Sequence, residues 1–434
     1  MRGPLDRTMY DTGRWPESWW LASAPAWADP APLEGEAEPE VAIIGGGYAG
    51  LACAIRLAER GIGAVVLDAG PIGWGASGRN GGMAGLASHK LAMPALLRRH
   101  GGSEVARYRA SQVEGLARLR AFCEERGLQV QGRGELVLAH SDKAFRALTA
   151  RKPSDGVDYE VIEPAPTGDM RRWGGVLMTP YFGIHPLRLV RALADRADEL
   201  GQRVHPRSEV TEWRREAGRH RLVTAAGSVR AAKVVLATNG FTPDGLHPGF
   251  DGRAVPVISN IGVTRVLTPQ ERARHPWLGD DPCADTRNLL VYLRMLPEGR
   301  LLFGMRGDLT GSEAGARRMR ARLERRIAEQ FPGWADVPLE YFWRGPICAT
   351  ASFTPAVGRL EEDATVFHAF GWHGSGVNGA QVGGRLLANI IAGDPVESVP
   401  APWRGRAPKL PLPGLRPLYV ALSLTQQQVQ DRLS

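Results

Sequence analysis

Three glycines in the spacing GxGxxG, Gly45, Gly47 and Gly50, and a later acid, Asp68, carry the clearest chemistry in this 434-residue chain. Gly45 permits a tight turn, Gly47 lets a pyrophosphate approach bare backbone, and Gly50 lets a helix pack closely on a sheet. A helix beginning at this point offers unpaired N–H groups and a partial positive charge to phosphate. Asp68 can accept hydrogen bonds from both hydroxyls of a ribose and would repel a 2′-phosphate. The set describes a dinucleotide site, and the glycine spacing does not separate NAD from FAD. A second stretch, "GWGASGRNGGMAG", is too rich in glycine for a regular element and too particular in Trp74, Ser77, Arg79 and Asn80 for a flexible linker. Backbone this bare suits the close approach of a flat ring.

Three further residues are candidates for the reacting end. Tyr292 and Arg294 share one face of a strand by period-two alternation, and a fixed guanidinium fork suits a substrate carboxylate. Arg306 lies on the next strand, where it either faces substrate or points to solvent or a cross-strand ion pair. His373 stands in "GWHGSGVNGA" and either faces a cofactor or is packed. No Ser/His/Asp or paired-carboxylate constellation is recognisable. Cys53, Cys123, Cys283 and Cys348 have neither CxxC nor Cys/His metal spacing, so four free thiols and no metal site are expected.

The elements that must position these residues follow from periodicity. "EVAII" reads as a buried strand, Leu51, Ile55 and Ala58 recur at helical spacing up to a C-cap at Gly61, and "AVVLD" is a second strand ending in Asp68. Strand, turn, helix and strand complete a βαβ unit. "HPLRLVRALADRADELG" predicts a helix, "RVHPRSEVTEWRR" short strands and "KVVLATNG" another buried strand. Residues 254–307 hold long alternating runs that suit an antiparallel sheet with one face covered. "FHAFGWHGSGVNGAQVGGRLLANIIAG" reads as a strand, a glycine turn from Gly371 to Gly376, and an apolar helix ending near Gly393.

Length allows one large or two medium domains, and a 43% hydrophobic, 23% charged composition is that of a globular protein. No apolar run is long enough to cross a bilayer, and the N-terminus carries charge and aromatics where a signal peptide needs an apolar stretch, so a cytoplasmic location is expected. The net charge of +8 raises nucleic acid as a partner. Its arginines are interleaved with glutamates, as in "RRMRARLERRIAEQ", which reads as solvated helix faces and argues against that partner. The tryptophans Trp15, Trp19 and Trp20 suggest an arm that folds back over the body.

"IIGGGYAGLACAIRLAERG" followed by "GWGASGRNGG" resembles the FAD-dependent amine and amino-acid oxidoreductases of the D-amino-acid oxidase superfamily, in particular the gamma-glutamylputrescine oxidase branch. "ESWWLASAP", "GRGELVLA", "VVLATNGFT", "YLRMLPEGRLLFGMRGD" and "GWHGSGVNGAQVGGRLLANIIAG" resemble blocks of that branch in the same order. The resemblance implies an α/β fold of two domains: a Rossmann-like FAD-binding domain (38–95, 175–247 and 345–398) interleaved with an antiparallel-sheet substrate domain (96–174 and 248–344). An arm (1–37) precedes them, and a tail with a short helix (399–434) follows.

Non-covalent FAD is the implied cofactor. Its contacts would come from Gly45, Gly47, Tyr48, Ala49, Gly50, Asp68 and Ala69 in the first unit, and from Gly75, Ala76 and Ser77, the serine on a phosphate, in the second stretch. Arg79 and Asn80 would lie along the cofactor, and Gly81, Gly82 and Met83 would pass beside the isoalloxazine. Many relatives have glutamine at the place of Met83, whose thioether cannot replace an amide's hydrogen bonds. The backbone of Val210 would hold adenine, with Thr238, Asn239 and Gly240 near the phosphates. The late helix tip, at Gly374, Ser375, Gly376 and Val377, would face the flavin pyrimidine. Relatives often read "SGHGV" there, so the histidine has in effect moved to His373.

The chemistry implied is oxidation of an amine or amino-acid C–N bond by hydride transfer to flavin N5, giving an imine that water hydrolyses. Oxygen is the expected acceptor, with a dehydrogenase using another acceptor as the alternative. The lysine that sarcosine-oxidase-like relatives keep beside the ring has no counterpart between Pro248 and Pro346. A flavin monooxygenase would share the first βαβ unit but needs a late GD-type motif, in place of which the chain has "WHGSGVNGA". A protein that merely retains FAD would leave the Tyr292/Arg294 pocket closed.

Overall fold

The computed structural model describes residues 3–86, 89–151, 156–166 and 168–433. Its centre is a six-stranded sheet in the order Arg203–His205, Ala64–Leu67, Val41–Ile44, Lys233–Leu236, Val366–Phe370, Ala356–Arg359. The first five strands are parallel and the last is antiparallel. Val41, Ala42, Ile43, Val66, Val234 and Val235 are fully buried, as β-branched strands covered on both faces must be. The helix Tyr48–Glu59 follows the first of these strands and packs on Pro186–Glu199 and Gly376–Ile391. The last contact is close, because a Cβ on Gly384 would stand 2.2 Å from the Ala49 carbonyl oxygen.

A second, eight-stranded sheet runs Leu339–Ala349, Val255–Thr264, Leu301–Arg306, Val291–Met295, Cys283–Asp285, Glu135–Leu138, Gly175–Thr179, Asp158–Ile162. Neighbours are antiparallel except where Cys283–Asp285 pairs parallel with Glu135–Leu138. Its own core is formed by Leu293, Leu301, Phe303, Leu323, Phe331 and Trp334 under the helix Glu313–Gln330. Two smaller sheets complete the fold. Gly35–Ala37, Gly227–Ala231, Arg219–Val223 and Glu212–Glu216 form one, and Met83–Ala84, Phe182–Ile184 and Val130–Gln131 form the other.

Several sequence boundaries move. Gly175–Thr179, grouped by sequence with the parallel sheet, lies in the eight-stranded one, and Leu339–Ala349 runs through the boundary drawn at 345. Gly35–Ala37, assigned to the arm, pairs with Gly227–Ala231. Alternation along a strand identifies its faces and says nothing of its partner, which is why these boundaries slip. The tail helix is not short: Arg416–Leu433 spans 18 residues. The arm does fold back. Trp20 is 1% exposed, and its indole N–H donates to the Asn80 carbonyl at 2.8 Å.

Candidate functional site

A cleft with about 1220 Å³ of empty space opens at the carboxyl ends of the parallel strands. Ligands of open α/β sheets bind there, beside the first strand, where chain connections leave in opposite directions. Ile44, Leu67 and Ala237, at three strand ends, line it, as do the starts of both the Tyr48–Glu59 and Gly376–Ile391 helices. Two helix N-termini and their partial positive charges therefore meet one cleft.

Local geometry follows from the glycines. Gly45 has φ +111°, and a Cβ there would lie 2.7 Å from the Ala237 carbonyl oxygen. A Cβ on Gly50 would lie 1.9 Å from the Gly45 carbonyl oxygen, so only glycine lets the helix start this close to the strand end. The Asp68 carboxylate accepts the N–H groups of Gly46 at 2.7 Å and Gly70 at 2.9 Å. Burial nevertheless pushes it up to about 6, against those two bonds. Ser77 Oγ accepts the Tyr48 N–H at 3.0 Å, so the second glycine-rich stretch caps the first helix while its hydroxyl proton stays available. Asn239 has φ +49°, and its Oδ1 accepts the Gly371 N–H at 3.0 Å, tying two strand ends together below the late helix.

The structure brings many of the sequence candidates to this cleft. Gly45, Gly47, Tyr48, Ala49, Asp68, Ala69, Gly75, Ala76, Ser77, Asn80, Val210, Thr238, Asn239, Gly374, Gly376 and Val377 all line it. Gly50, Arg79, Gly81, Gly82, Met83, Gly240 and Ser375 are outside its wall. Cys348, which by resemblance lies near the place where some relatives attach flavin covalently without aligning with their cysteine, lines it; burial pushes its thiol up to about 12.

Arg79 is a brace rather than a cofactor contact. Its guanidinium donates to the Trp74 and Arg344 carbonyls and lies 4.2 Å over the Trp74 ring, where burial depresses it to about 9. Arg294 is likewise no open fork. It donates to the carbonyls of Gly82 at 2.9 Å and Ile184 at 3.2 Å and lies 5.5 Å over Trp20. A buried guanidinium takes the carbonyls and aromatic faces nearest to it, and these partners are remote in sequence.

Tyr292 does reach the loop. Its ring lies against Gly81 and Gly304, and its hydroxyl is 2.9 Å from Ser259 Oγ, with burial pushing it up to about 12. Arg306 turns inward: it donates to the His373 carbonyl at 3.2 Å, and Nη2 would be 3.1 Å from a Cβ on Gly374. His373 has φ +51°, and its ring is 3.2 Å from Thr350 Oγ1, turned into packing rather than lining the cleft. Burial and the nearby Lys90 cation depress it to about 3, so the imidazole is neutral.

Sequence reasoning missed Lys90 as a site residue and took Glu135 only as part of a block that resembles the family. Lys90 feels Arg306 as a like charge and Glu135 as an opposite one. The available signal was a lone glutamate heading the apolar run Leu136–Leu138. Among the described residues no group of three or more His, Cys, Asp or Glu is placed to hold a metal ion, and no helix is long and apolar enough to cross a membrane.

A parallel sheet with a dinucleotide cleft between two helix tips, set beside a large mixed sheet, defines the two-domain architecture of flavoprotein oxidoreductases. Over residues 40–390 the sequence matches the DAO family, described as FAD dependent oxidoreductase, and the chain belongs to that family. It is 30% identical to the gamma-glutamylputrescine oxidoreductase of Escherichia coli K12, over 96% of this chain and 98% of that protein. It is 26% identical to the glycine oxidase of Bacillus licheniformis, over 82% and 94%. In fold it is similar to the glycine oxidase of Bacillus cereus, with TM-score 0.66 and 20% identity over 86% of this chain and 99% of that one.

The residues present fit the family's FAD. The cleft runs from the glycine turn at Gly45 to the late helix tip at Gly376, Asp68 keeps acceptor capacity at a strand end, and two helix N-termini are available, one for a pyrophosphate and one for an electron-rich ring.

Proposed function

We propose that this FAD-dependent oxidoreductase oxidises a C–N bond in an amine or amino-acid-like substrate, with molecular oxygen as acceptor and FAD held without a covalent bond. One observation carries the reading: Arg306 stands against Gly374 on the cleft wall, and Tyr292, on the neighbouring strand, stands against Gly81 of the adjoining loop. Polar side chains of the large sheet thus arrive where the cofactor cleft ends. The similarity to gamma-glutamylputrescine oxidoreductase over nearly its whole length supports the C–N bond as the target.

In this reading Asp68 holds the ribose, Ser77 with the N-terminus of Tyr48–Glu59 holds the pyrophosphate, and the backbone of Val210 holds adenine. Thr238 and Asn239 flank the phosphates. Bound FAD supplies a two-electron acceptor for the hydride leaving the substrate's α-carbon. The N–H groups at Gly376 and Val377 stabilise negative charge that develops beside them. Tyr292 fixes the loop at Gly81 and borders the reacting end. His373, neutral at physiological pH, holds a turn and moves no proton. Desolvation over the ring favours the uncharged amine, so the chain needs no strong base. A Cys348 thiol held up to about 12 is a poor nucleophile, which supports dissociable FAD.

The test is anaerobic incubation of the yellow holoenzyme with a panel of amines and amino acids, repeated in air with peroxide measured. Bleaching by an amine and peroxide in air support the proposal. Bleaching without peroxide would make it a dehydrogenase, bleaching by NADPH alone a monooxygenase, and either result overturns the corresponding part.

A further inference from the structure

The helix Arg416–Leu433 is tied to the body by polar bonds and turns leucines to solvent. Leu415, in the turn before it, and Leu418, Leu422 and Val429 along it are 43%, 50%, 61% and 50% exposed. Leu412, at 58%, extends the strip into the approach. Among the described residues the other exposed large hydrophobic side chains, Leu97, Val161, Val266 and Phe353, stand on four separate segments. Single exposed apolar residues are ordinary, whereas a contiguous strip marks an interaction surface.

The strip is presented, not frayed. At the helix start the buried Arg416 guanidinium donates to both Asp244 carboxylate oxygens, at 2.6 and 2.8 Å. Near its end Asp431 accepts the Asn288 N–H at 2.7 Å and the Leu289 N–H at 2.9 Å. Val420 is buried between these two anchors. At helical spacing Arg416, Val420 and Asp431 share one side, and Leu415, Leu418, Leu422 and Val429 share the opposite one.

Two features say what covers it. Leu415, Leu418, Leu422, Thr425 and Val429 advance by three and four residues in turn, the seam along which two helices pack side chains into each other's gaps. The strip is also uncharged, because from Leu415 to Gln430 the only charged residue is Arg416, committed to Asp244. Helices that lie on lipid flank their apolar strip with lysine and arginine, and an acidic or basic partner is met by charge of the opposite sign. Between Leu415 and Gln430 the strip offers neither. Copies of a chain carrying a net charge of +8 repel one another, and a neutral strip is where they approach with least repulsion.

We propose that this strip is a dimer seam, along which the Arg416–Leu433 helices of two copies pack antiparallel about a two-fold axis near Leu422. Leu422 is one heptad from both Leu415 and Val429, so two-fold pairing turns Leu415 of each copy toward Val429 of the other. An 18-residue helix offers a strip about 27 Å long and about 10 Å wide, less than the roughly 800 Å² per partner of a standard stable complex. The pairing is therefore reversible and dissociates on dilution.

The experiment measures the mass of the full, FAD-loaded chain by sedimentation equilibrium between roughly 1 and 200 µM. A monomer–dimer equilibrium is expected, and the double variant Leu418→Glu, Leu422→Glu should weaken it at least tenfold, with FAD content and Tm unchanged. The four native cysteines are buried. Copper-catalysed air oxidation should therefore join Leu422→Cys copies into covalent dimers, while Val429→Cys should cross-link with Leu415→Cys and not with itself. A parent that stays monomeric throughout, or a double variant that keeps the parent's Kd, would overturn the seam. Val429→Cys copies that join each other as readily as Leu422→Cys copies would overturn the antiparallel arrangement. A parent that is monomeric in solution and sediments with phosphatidylglycerol vesicles, where the double variant does not, would give the strip to a lipid surface instead.

Discussion

Replacing Asp68 by asparagine tests the cofactor site at its most quantitative point. The carboxylate offers about four acceptor positions. Gly46 and Gly70 N–H groups occupy two, leaving about two for ribose hydroxyls. Without such donors, burial lifts the group from 3.8 to about 6, which corresponds to roughly 3 kcal/mol against the charged form. Hydroxyl donors favour the carboxylate, so FAD binding lowers its pKa, and affinity must weaken as pH falls through about 6, at most about tenfold per pH unit. At pH 7.5, Asp68→Asn loses hydrogen bonds to a charged acceptor worth about 1.5–3 kcal/mol, a roughly ten- to 150-fold weaker Kd. The stability of the apoprotein moves oppositely. A raised carboxylate pKa leaves its contribution fully present below 3.8 and lost as pH rises through about 6, and the variant has no such loss. Flavin fluorescence titration from pH 5 to 8, with thermal melts of both apoproteins, measures each effect. A Kd within twofold of the parent, with the same pH slope, would refute the ribose assignment.

Trp20→Ala removes a side chain that is almost fully buried and holds the Asn80 carbonyl, so a loss of about 3 kcal/mol or more is expected, with faster proteolysis of the arm and faster FAD release. A melting curve and cleavage pattern like the parent's would contradict this. Gly384→Val forces a side chain onto the Ala49 carbonyl and Cys53 N–H, separating the two helices whose tips flank the cleft. The expected result is about 1–3 kcal/mol of destabilisation and reduced flavin content at purification. His373→Asn keeps a residue that tolerates φ +51°. Because the ring is depressed to about 3, the pH profile of kcat/KM between 5 and 9 should keep its shape; loss of one limb would show that the imidazole titrates in turnover.

The cofactor cleft was largely legible in the sequence because its determinants are local. Gly45, Gly47, Gly50 and Asp68 belong to one strand-turn-helix-strand unit, so spacing alone placed them at one strand end. The loop from Gly73 to Gly85 was legible as irregular for the same reason. The arginines were not. Whether Arg79 and Arg294 face a ligand or brace a backbone depends on the carbonyls of Arg344 and Ile184, which only the tertiary fold delivers. Likewise the apolar run after Glu135 does not tell which strand it joins: the parallel partner Cys283–Asp285 is a non-local choice, and with it the position of Glu135. The length of the C-terminal helix was not legible because a run of glutamines and a proline-rich approach carry little amphipathic pattern.

The braces explain why the loop beside the cleft can be so poor in regular structure and still hold a shape. Between Arg79 and Gly82, three carbonyls are taken by three remote side chains: Arg79 by the Trp343 indole, Asn80 by the Trp20 indole and Gly82 by Arg294. Asn80 Oδ1 takes the Gly82 N–H at 2.8 Å. Each donor comes from a different part of the chain, one from the large sheet's edge strand, one from the arm and one from an inner strand. Glycines that a bare backbone needs for close approach lose much conformational freedom on folding, and these bonds offset that cost without adding a side chain on the cleft side. It follows that the arm is part of the site's framework, and that changes at Trp20 should reach the cofactor before they reach the parallel sheet.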